Sequence, residues 1–343
     1  MTRDFTWRDA GRTVVFGRGV VADAVEVLRE QGVEEFELLS TERALAGAEA
    51  LAAEASRVHE VAPGHVPDAA APLMGALAPP YRAGMGVRAR PLVALGGGRV
   101  IDVAKAIASV SGAKVVAIPT TLSGAPMTAI HRLPAGAEER ARGMARPSLV
   151  IADPKTMTSQ AEDDLRASAM NALAHGADTL YLPASNPVSE MTALRGAELI
   201  AGALDQERHA RDRPALALGS ILCGYAIDSA GLGLHHLVCQ TLVRVCGTPH
   251  AETNAAILPH ALAFLAERAP EPCERLAAAL GTDRAHLRQR VEELGRPQPL
   301  GDLGGDESKL DEAIEAMLKR PELGRVPLPP SRDELVELVH GAW

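Results

Sequence analysis

Between Leu232 and His260 the chain reads LGLHHLVCQTLVRVCGTPHAETNAAILPH, and four histidines fall in what is otherwise an apolar helical run. Imidazole is the side chain suited to ligating a metal or moving protons near neutral pH, so the cluster points to one of those two chemistries. His236 and Gln240 stand four residues apart and share a helix face. The segment DDLRASAMNALAHGADTLYL repeats that spacing in Asn171 and His175. Such a pair either offers two ligands to a metal or fills a core with local hydrogen bonds. Asn171, His175, His236 and His250 are therefore the set expected to converge between helices. His235 should point to another face, and it and His260, which follows a proline near an expected helix start, read as core imidazoles bonded to backbone.

A second stretch carries phosphate-binding chemistry. PLVAL, a buried-strand pattern, runs into Gly96, Gly97 and Gly98 and then into the helical RVIDVAKAIASVSG. Glycines let the backbone approach a pyrophosphate closely, and free N–H groups at the helix start favour the anion. Arg99 adds a cation at the mouth. The next strand, KVVAI, empties into the hydroxyl-rich loop PTTLSGAPMT, residues 119–128. An open α/β sheet places its ligand at such strand ends, so the two loops are expected to share one site. FGRG at residues 16–19 is a weaker signal without the full glycine spacing.

The elements that must position these groups follow from periodicity. Residues 12–16 read as a strand, followed by a glycine turn, an amphipathic helix and a second strand ending at Ser40. Residues 41–56 read as helical, VHEVAPGHVP as a third strand with its exit loop, and 68–81 as another helix. Strands 91–95, 114–118 and SLVIA complete a βαβ series with a parallel sheet. Beyond Pro154 strands give way to Ala- and Leu-rich helical stretches. The expected division is an α/β dinucleotide-binding domain over 1–154 and an all-helical catalytic domain over 155–343.

Composition excludes several classes. In 343 residues, 47% are hydrophobic, 23% are charged and the net charge is -9, ordinary for a globular enzyme and unsuited to nucleic acid or an anionic membrane. No signal-peptide core or membrane-spanning run is present, so a cytoplasmic protein acting on a small molecule is expected. Cys223, Cys239, Cys246 and Cys273 lack C-x-x-C spacing and read as reduced packing residues.

GGGRVIDVAKAIA, IPTTLSGAPMT, SAMNALAHGADTLY and the histidine run together resemble the iron-containing (group III) alcohol dehydrogenase superfamily, and within it the maleylacetate reductases most closely. The resemblance extends over nearly the whole chain, through LVHGAW. It implies a Rossmann-like N-terminal domain and an all-α C-terminal domain in a dehydroquinate synthase-like fold, with the active site in the cleft. It also implies NAD or NADP as cofactor, hydride transfer at a carbonyl or secondary alcohol, and a homodimer. On this resemblance Gly97, Gly98, Arg99, Asp102, Thr120, Thr121, Ser123 and Thr128 fall on cofactor positions, and Ser40 where an acid would select NAD over NADP.

The metal motif matches in part. His175, His236 and His250 fall on the histidine ligands that would hold Fe or Zn, but Asn171 replaces the aspartate, as in maleylacetate reductases, so catalysis without a metal is expected. Gln240 stands where most relatives have a histidine near the nicotinamide, and it cannot carry a proton. Leu237 stands where maleylacetate reductases often have a lysine, and Arg99 replaces the usual serine of the glycine loop. The expected chemistry is hydride transfer with His236 as acid/base, His175 and His250 as donors and Asn171 fixing a tautomer. Two alternatives are a secondary-metabolism dehydrogenase oxidising a hydroxy acid or a peptide-borne alcohol, with decarboxylation, and a non-redox nucleotide-binding relative.

Overall fold

The computed structural model describes residues 5–9, 11–78 and 89–343. The chain divides into two compact units, residues 1–159 and 160–343. Pro154, where composition changes, opens the short helix Pro154–Met157 that closes the first unit.

Among the described residues the N-terminal unit has seven strands, β1 (Phe5–Asp9), β2 (Arg12–Phe16), β3 (Glu37–Ser40), β4 (Arg57–Glu60), β5 (Leu92–Gly96), β6 (Val115–Pro119) and β7 (Pro147–Ala152). Their spatial order is β1-β2-β7-β6-β5-β3-β4. Only β1, which the periodicity does not reveal, is antiparallel, pairing with β2 as a hairpin. The other pairings are parallel. Buried on both faces, β5 and β6 read as continuous apolar runs, as interior parallel strands must. Their side chains alternate between two cores: Leu92 and Ala94 pack with Ile101 and Ile107, while Val93 and Leu95 pack with Leu28, Phe36 and Leu38.

From β3 the chain moves outward to β4, then returns to the other side of β3 and proceeds through β5, β6 and β7. The direction of winding thus reverses between β3 and β5, whose C-terminal ends are Ser40 and Gly96. Reversal points are where open α/β sheets leave a crevice for ligand.

Two helical expectations need correction. The 41–56 segment breaks into Glu42–Leu45 and Glu49–Glu54. The 68–81 helix is Val66–Ala70, a 3-10 turn Ala71–Leu73 around Pro72, and Met74–Leu77, because proline removes a backbone donor there. Residues 79–81 lie outside the described residues.

The C-terminal unit is helical throughout. The helix Glu162–Tyr181 is buried continuously from Leu165 to Tyr181, the pattern of a central helix wrapped on all sides. Around it run Pro187–Leu204, Arg213–Ala230, Leu234–Val245 and His250–Arg268, followed by four shorter helices ending in Arg332–Ala342. His260 does not lie at a helix start: the helix begins at His250 and continues through Pro259, whose lost hydrogen bond is offset by burial of Leu258, Ala261 and Leu262. All four cysteines are free and buried. Among the described residues no single helix is long and apolar enough to cross a membrane.

Candidate active site

In the N-terminal unit, β5 delivers the chain to Gly97, whose extended backbone caps the helix Gly98–Ser111 without any side-chain cap. The first amides of that helix are therefore left for an anion. A Cβ at Gly98 would sit 2.5 Å from Ser123 Oγ, and one at Gly97 would sit 3.1 Å from Thr121 Cγ2. Glycine is thus required for the two loops to touch, and the structure brings Gly97, Gly98, Thr121 and Ser123 together. Thr120 joins them through its N–H, which donates to the Gly96 carbonyl at 3.0 Å. Arg99 is exposed on the first turn.

Other residues of the expected set face inward. Ser40 is fully buried and donates to the Leu95 carbonyl at 2.8 Å, so the hydroxyl at the end of β3 is committed inside the sheet. Thr128 is buried and accepts from Lys105 Nζ at 3.3 Å. Asp102 pairs with Lys105 at 2.7 Å, and Lys105, 0% exposed, also donates to the carbonyls of Ala125 and Ile130. Lys105 thereby ties the glycine-loop helix to the hydroxyl loop. It is absent from the motif reading, although a lysine inside the apolar run DVAKAIA is the available signal.

In the C-terminal unit, the imidazoles of His175 and His236 stack with centroids 4.5 Å apart, and His235 meets His236 edge-on at 4.9 Å. Asp178, one turn beyond His175 on the same helix, organises this group. Its Oδ2 accepts from His236 Nδ1 at 2.7 Å and from Gly233 N at 3.0 Å, and its Oδ1 accepts from Tyr181 Oη at 2.5 Å. Tyr181 in turn accepts from Leu234 N at 2.7 Å. The carboxylate therefore sits at the N-terminus of the helix Leu234–Val245, where backbone donors and the helix dipole favour negative charge. A Cβ on Gly233 would stand 2.7 Å from Asp178 Oδ1, so this N-cap must be glycine for the carboxylate to approach.

The electrostatics follow from this arrangement. Burial by itself raises the Asp178 carboxyl, but the His236 hydrogen bond and charge outweigh it and bring the group down to about 2. Burial, then the adjacent Asp178 charge, pushes Tyr181 well above its ordinary range. Burial drives His175 far down and His235 to about 3, so both are neutral at pH 7. An ionised carboxylate only accepts, so His236 Nδ1 carries a proton and Nε2 is the atom left for chemistry. Among the described residues His236 Nε2, His175 Nδ1 and Asn171 Oδ1 are buried and have no hydrogen-bond partner.

Several expectations change here. Asn171 does not fix an imidazole tautomer; Asp178 does, because only the carboxylate reaches Nδ1. His235 is a core imidazole, but its partner is the Asn254 side chain at 2.9 Å, not backbone. His250 is the exposed first residue of its helix, with Asn254 Nδ2 donating to its carbonyl at 2.6 Å, and it lies within electrostatic reach of His175 and His235. Gln240 Oε1 accepts from Arg320 Nη2 at 3.0 Å. Asp178 escapes a reading centred on histidines, although an acid seven residues after Asn171 in an Ala-rich helix shares its face.

Comparison with known proteins agrees with this geometry. Residues 166–343 match the Fe-containing alcohol dehydrogenase family, C-terminal, and residues 15–161 match an iron-containing alcohol dehydrogenase domain. The chain is 35% identical to a maleylacetate reductase of Burkholderia cepacia over 73% of each chain. It is 32% identical to that of Rhizobium sp. (strain MTP-10005) over 92% of each. The crystal structure of maleylacetate reductase from Agrobacterium tumefaciens superposes with a TM-score of 0.82 at 32% identity, covering 100% of this chain and 99% of that one.

The family name implies iron, and at the matching positions the anionic ligand that a hard divalent ion favours is replaced. Asn171 offers a neutral amide oxygen, and the buried carboxylate of Asp178 is filled by His236, Tyr181 and Gly233. Among the described residues no group of three or more His, Cys, Asp or Glu side chains is placed to hold a metal. Over both units the chain belongs to the iron-containing alcohol dehydrogenase family, most similar to its maleylacetate reductases, and is an NAD(P)-dependent oxidoreductase acting on a carbonyl or an alcohol.

Proposed function

We propose that the chain reduces a maleylacetate-like oxo acid with NAD(P)H, without a resident metal, and that His236 supplies the proton. The observation that carries this reading is the buried Asp178–His236 pair with Nε2 left unpartnered. The nicotinamide brings the hydride; the protein must hold the cofactor, place the substrate and quench the oxyanion that forms as hydride arrives. Gly97, Gly98, Arg99, Thr120, Thr121 and Ser123 are the residues proposed to hold the nucleotide. Asp178 stays ionised and would stabilise an imidazolium at His236, from which Nε2–H passes to the oxyanion. His175, kept neutral by burial and stacked on His236, offers a hydrogen bond without charge. Asn171 presents its carboxamide one turn earlier, and His250 is a further donor from the next helix. A cytoplasmic homodimer completes the proposal.

The test is consumption of NADH or NADPH with maleylacetate, with and without a chelator, by the wild type and by His236→Ala. Turnover indifferent to the chelator and reduced about 100-fold or more in the variant is the expected result. No consumption with either cofactor overturns the reading.

A further inference from the structure

Gln240 lies one turn beyond His236 on the helix Leu234–Val245, so the two side chains share a face. The bond from Arg320 Nη2 to Gln240 Oε1 has a consequence for that face. A guanidinium has donors only, so the amide is fixed with its oxygen toward Arg320 and its Nε2 hydrogens turned away. Arg320 is itself anchored: its Nη2 and Nε donate to the two Glu322 oxygens at 2.9 and 3.3 Å. Hydrogen bonding from Arg320 holds the Glu322 carboxyl below its ordinary range, so the clamp persists at neutral pH.

The surrounding charge is unusual for this chain. Residues 319–325, KRPELGR, carry three cations and one anion in a protein of net charge -9. Arg325 reaches the loop that feeds the His236 helix, where a Cβ on Gly231 would lie 3.2 Å from its Nη1. Leu237, by contrast, is fully buried and supplies nothing to an anion. The cations next to the reactive face therefore come from this segment, and local positive potential concentrates an anionic substrate.

We propose that Gln240 is a specificity-determining residue that takes a carboxylate oxygen of the substrate through Nε2–H, and that Arg320 is the positioning residue that sets it in that orientation. The proposal rests on the reductase reading of the His236 site. A carboxylate accepts and never donates, so it matches a donor-only amide and is repelled by the flipped one. Gln240 moves no proton, which separates recognition of the acid from the chemistry at His236 one turn away.

Gln240→Glu, Arg320→Met and Arg320→Lys test this with two readouts. The first is KM and kcat for maleylacetate and for its uncharged dimethyl ester; the second is binding of adipate to the protein–NAD(P) complex, which needs no turnover. Gln240→Glu keeps an acceptor for Arg320 but replaces the outward donor by an anion. It is expected to raise KM for maleylacetate and Kd for adipate about tenfold or more, with a much smaller effect on the diester. Arg320→Met frees the amide to turn and should move both constants the same way, while Arg320→Lys, still a donor, should recover much of the loss. Equal losses on acid and diester, or unchanged adipate binding in Gln240→Glu, overturn the proposal. Adipate binding that depends on Gln240 in a wild type with no turnover supports it and removes only the reductase reading.

Discussion

The glycine loop of the N-terminal unit and the histidine cluster of the C-terminal unit are built in opposite ways. The first is shaped by what is missing: without side chains at 97 and 98, the loop lies directly against Thr121 and Ser123. The second is shaped by what is charged: one carboxylate, Asp178, gathers an imidazole, a phenol and a helix N-terminus from residues up to 58 positions away. A site defined by backbone and sterics should degrade gradually with added bulk. One defined by a buried charge should fail at once when that charge is lost.

Asp178→Ala is the sharpest way to break that contrast. It leaves His236 Nδ1 and two backbone donors buried without an acceptor, and each buried donor so orphaned costs about 1–3 kcal/mol. Urea unfolding should show that loss, and kcat should fall more than in any glycine-loop variant. A stable, active Asp178→Ala protein would mean that the cluster is organised by packing and not by charge.

Gly98→Ala probes the other region. Its Cβ collides with Ser123 Oγ, and overpacking of this kind costs about 1–3 kcal/mol. Weaker NAD(P)H binding measured by fluorescence is expected, with partial recovery in the Gly98→Ala/Ser123→Gly double variant. Without recovery, the loops are not coupled through this contact.

The smallest effect sharpens the comparison through pH. His235 is buried neutral, and burial lowers it to about 3 from an unfolded value near 6.5. Below pH 6.5 the unfolded chain takes up a proton that the folded chain refuses, so stability falls as pH drops from 6.5 toward 3. This group contributes about 1.4 kcal/mol per pH unit over that window. Denaturant midpoints measured from pH 7 to 5 check the slope. A flat profile would mean that the imidazole reaches water on the timescale of titration.

How much of each region the sequence reveals follows from the same contrast. A strand, a glycine turn and a helix are local, so the glycine loop can be read from adjacent residues, and its approach to Thr121 and Ser123 follows from adjacent βα units. The helical spacing of Asn171, His175, His236 and Gln240 is equally local. Partner choice is not. Nothing in the residue types tells that Ser40 spends its hydroxyl on the Leu95 carbonyl, or that Thr128 turns inward to Lys105. The histidines draw attention because their type is rare in apolar runs, while Asp178, the group that orients His236, is legible only as an acid on the buried face of another helix. The 41–56 and 68–81 stretches show the same limit at the level of elements, where helical composition does not reveal a break.

The placement of Asp178 at the start of another helix also bears on quality control. His236 acquires its fixed tautomer only when Glu162–Tyr181 has docked against Leu234–Val245, because the group that orients it belongs to the first helix and the donors that hold that group belong to the second. A molecule in which this docking has failed keeps every histidine and still has no oriented imidazole. On the role proposed for His236, specific activity in a preparation would count correctly folded C-terminal units, and a poorly folded fraction would be silent rather than partly active.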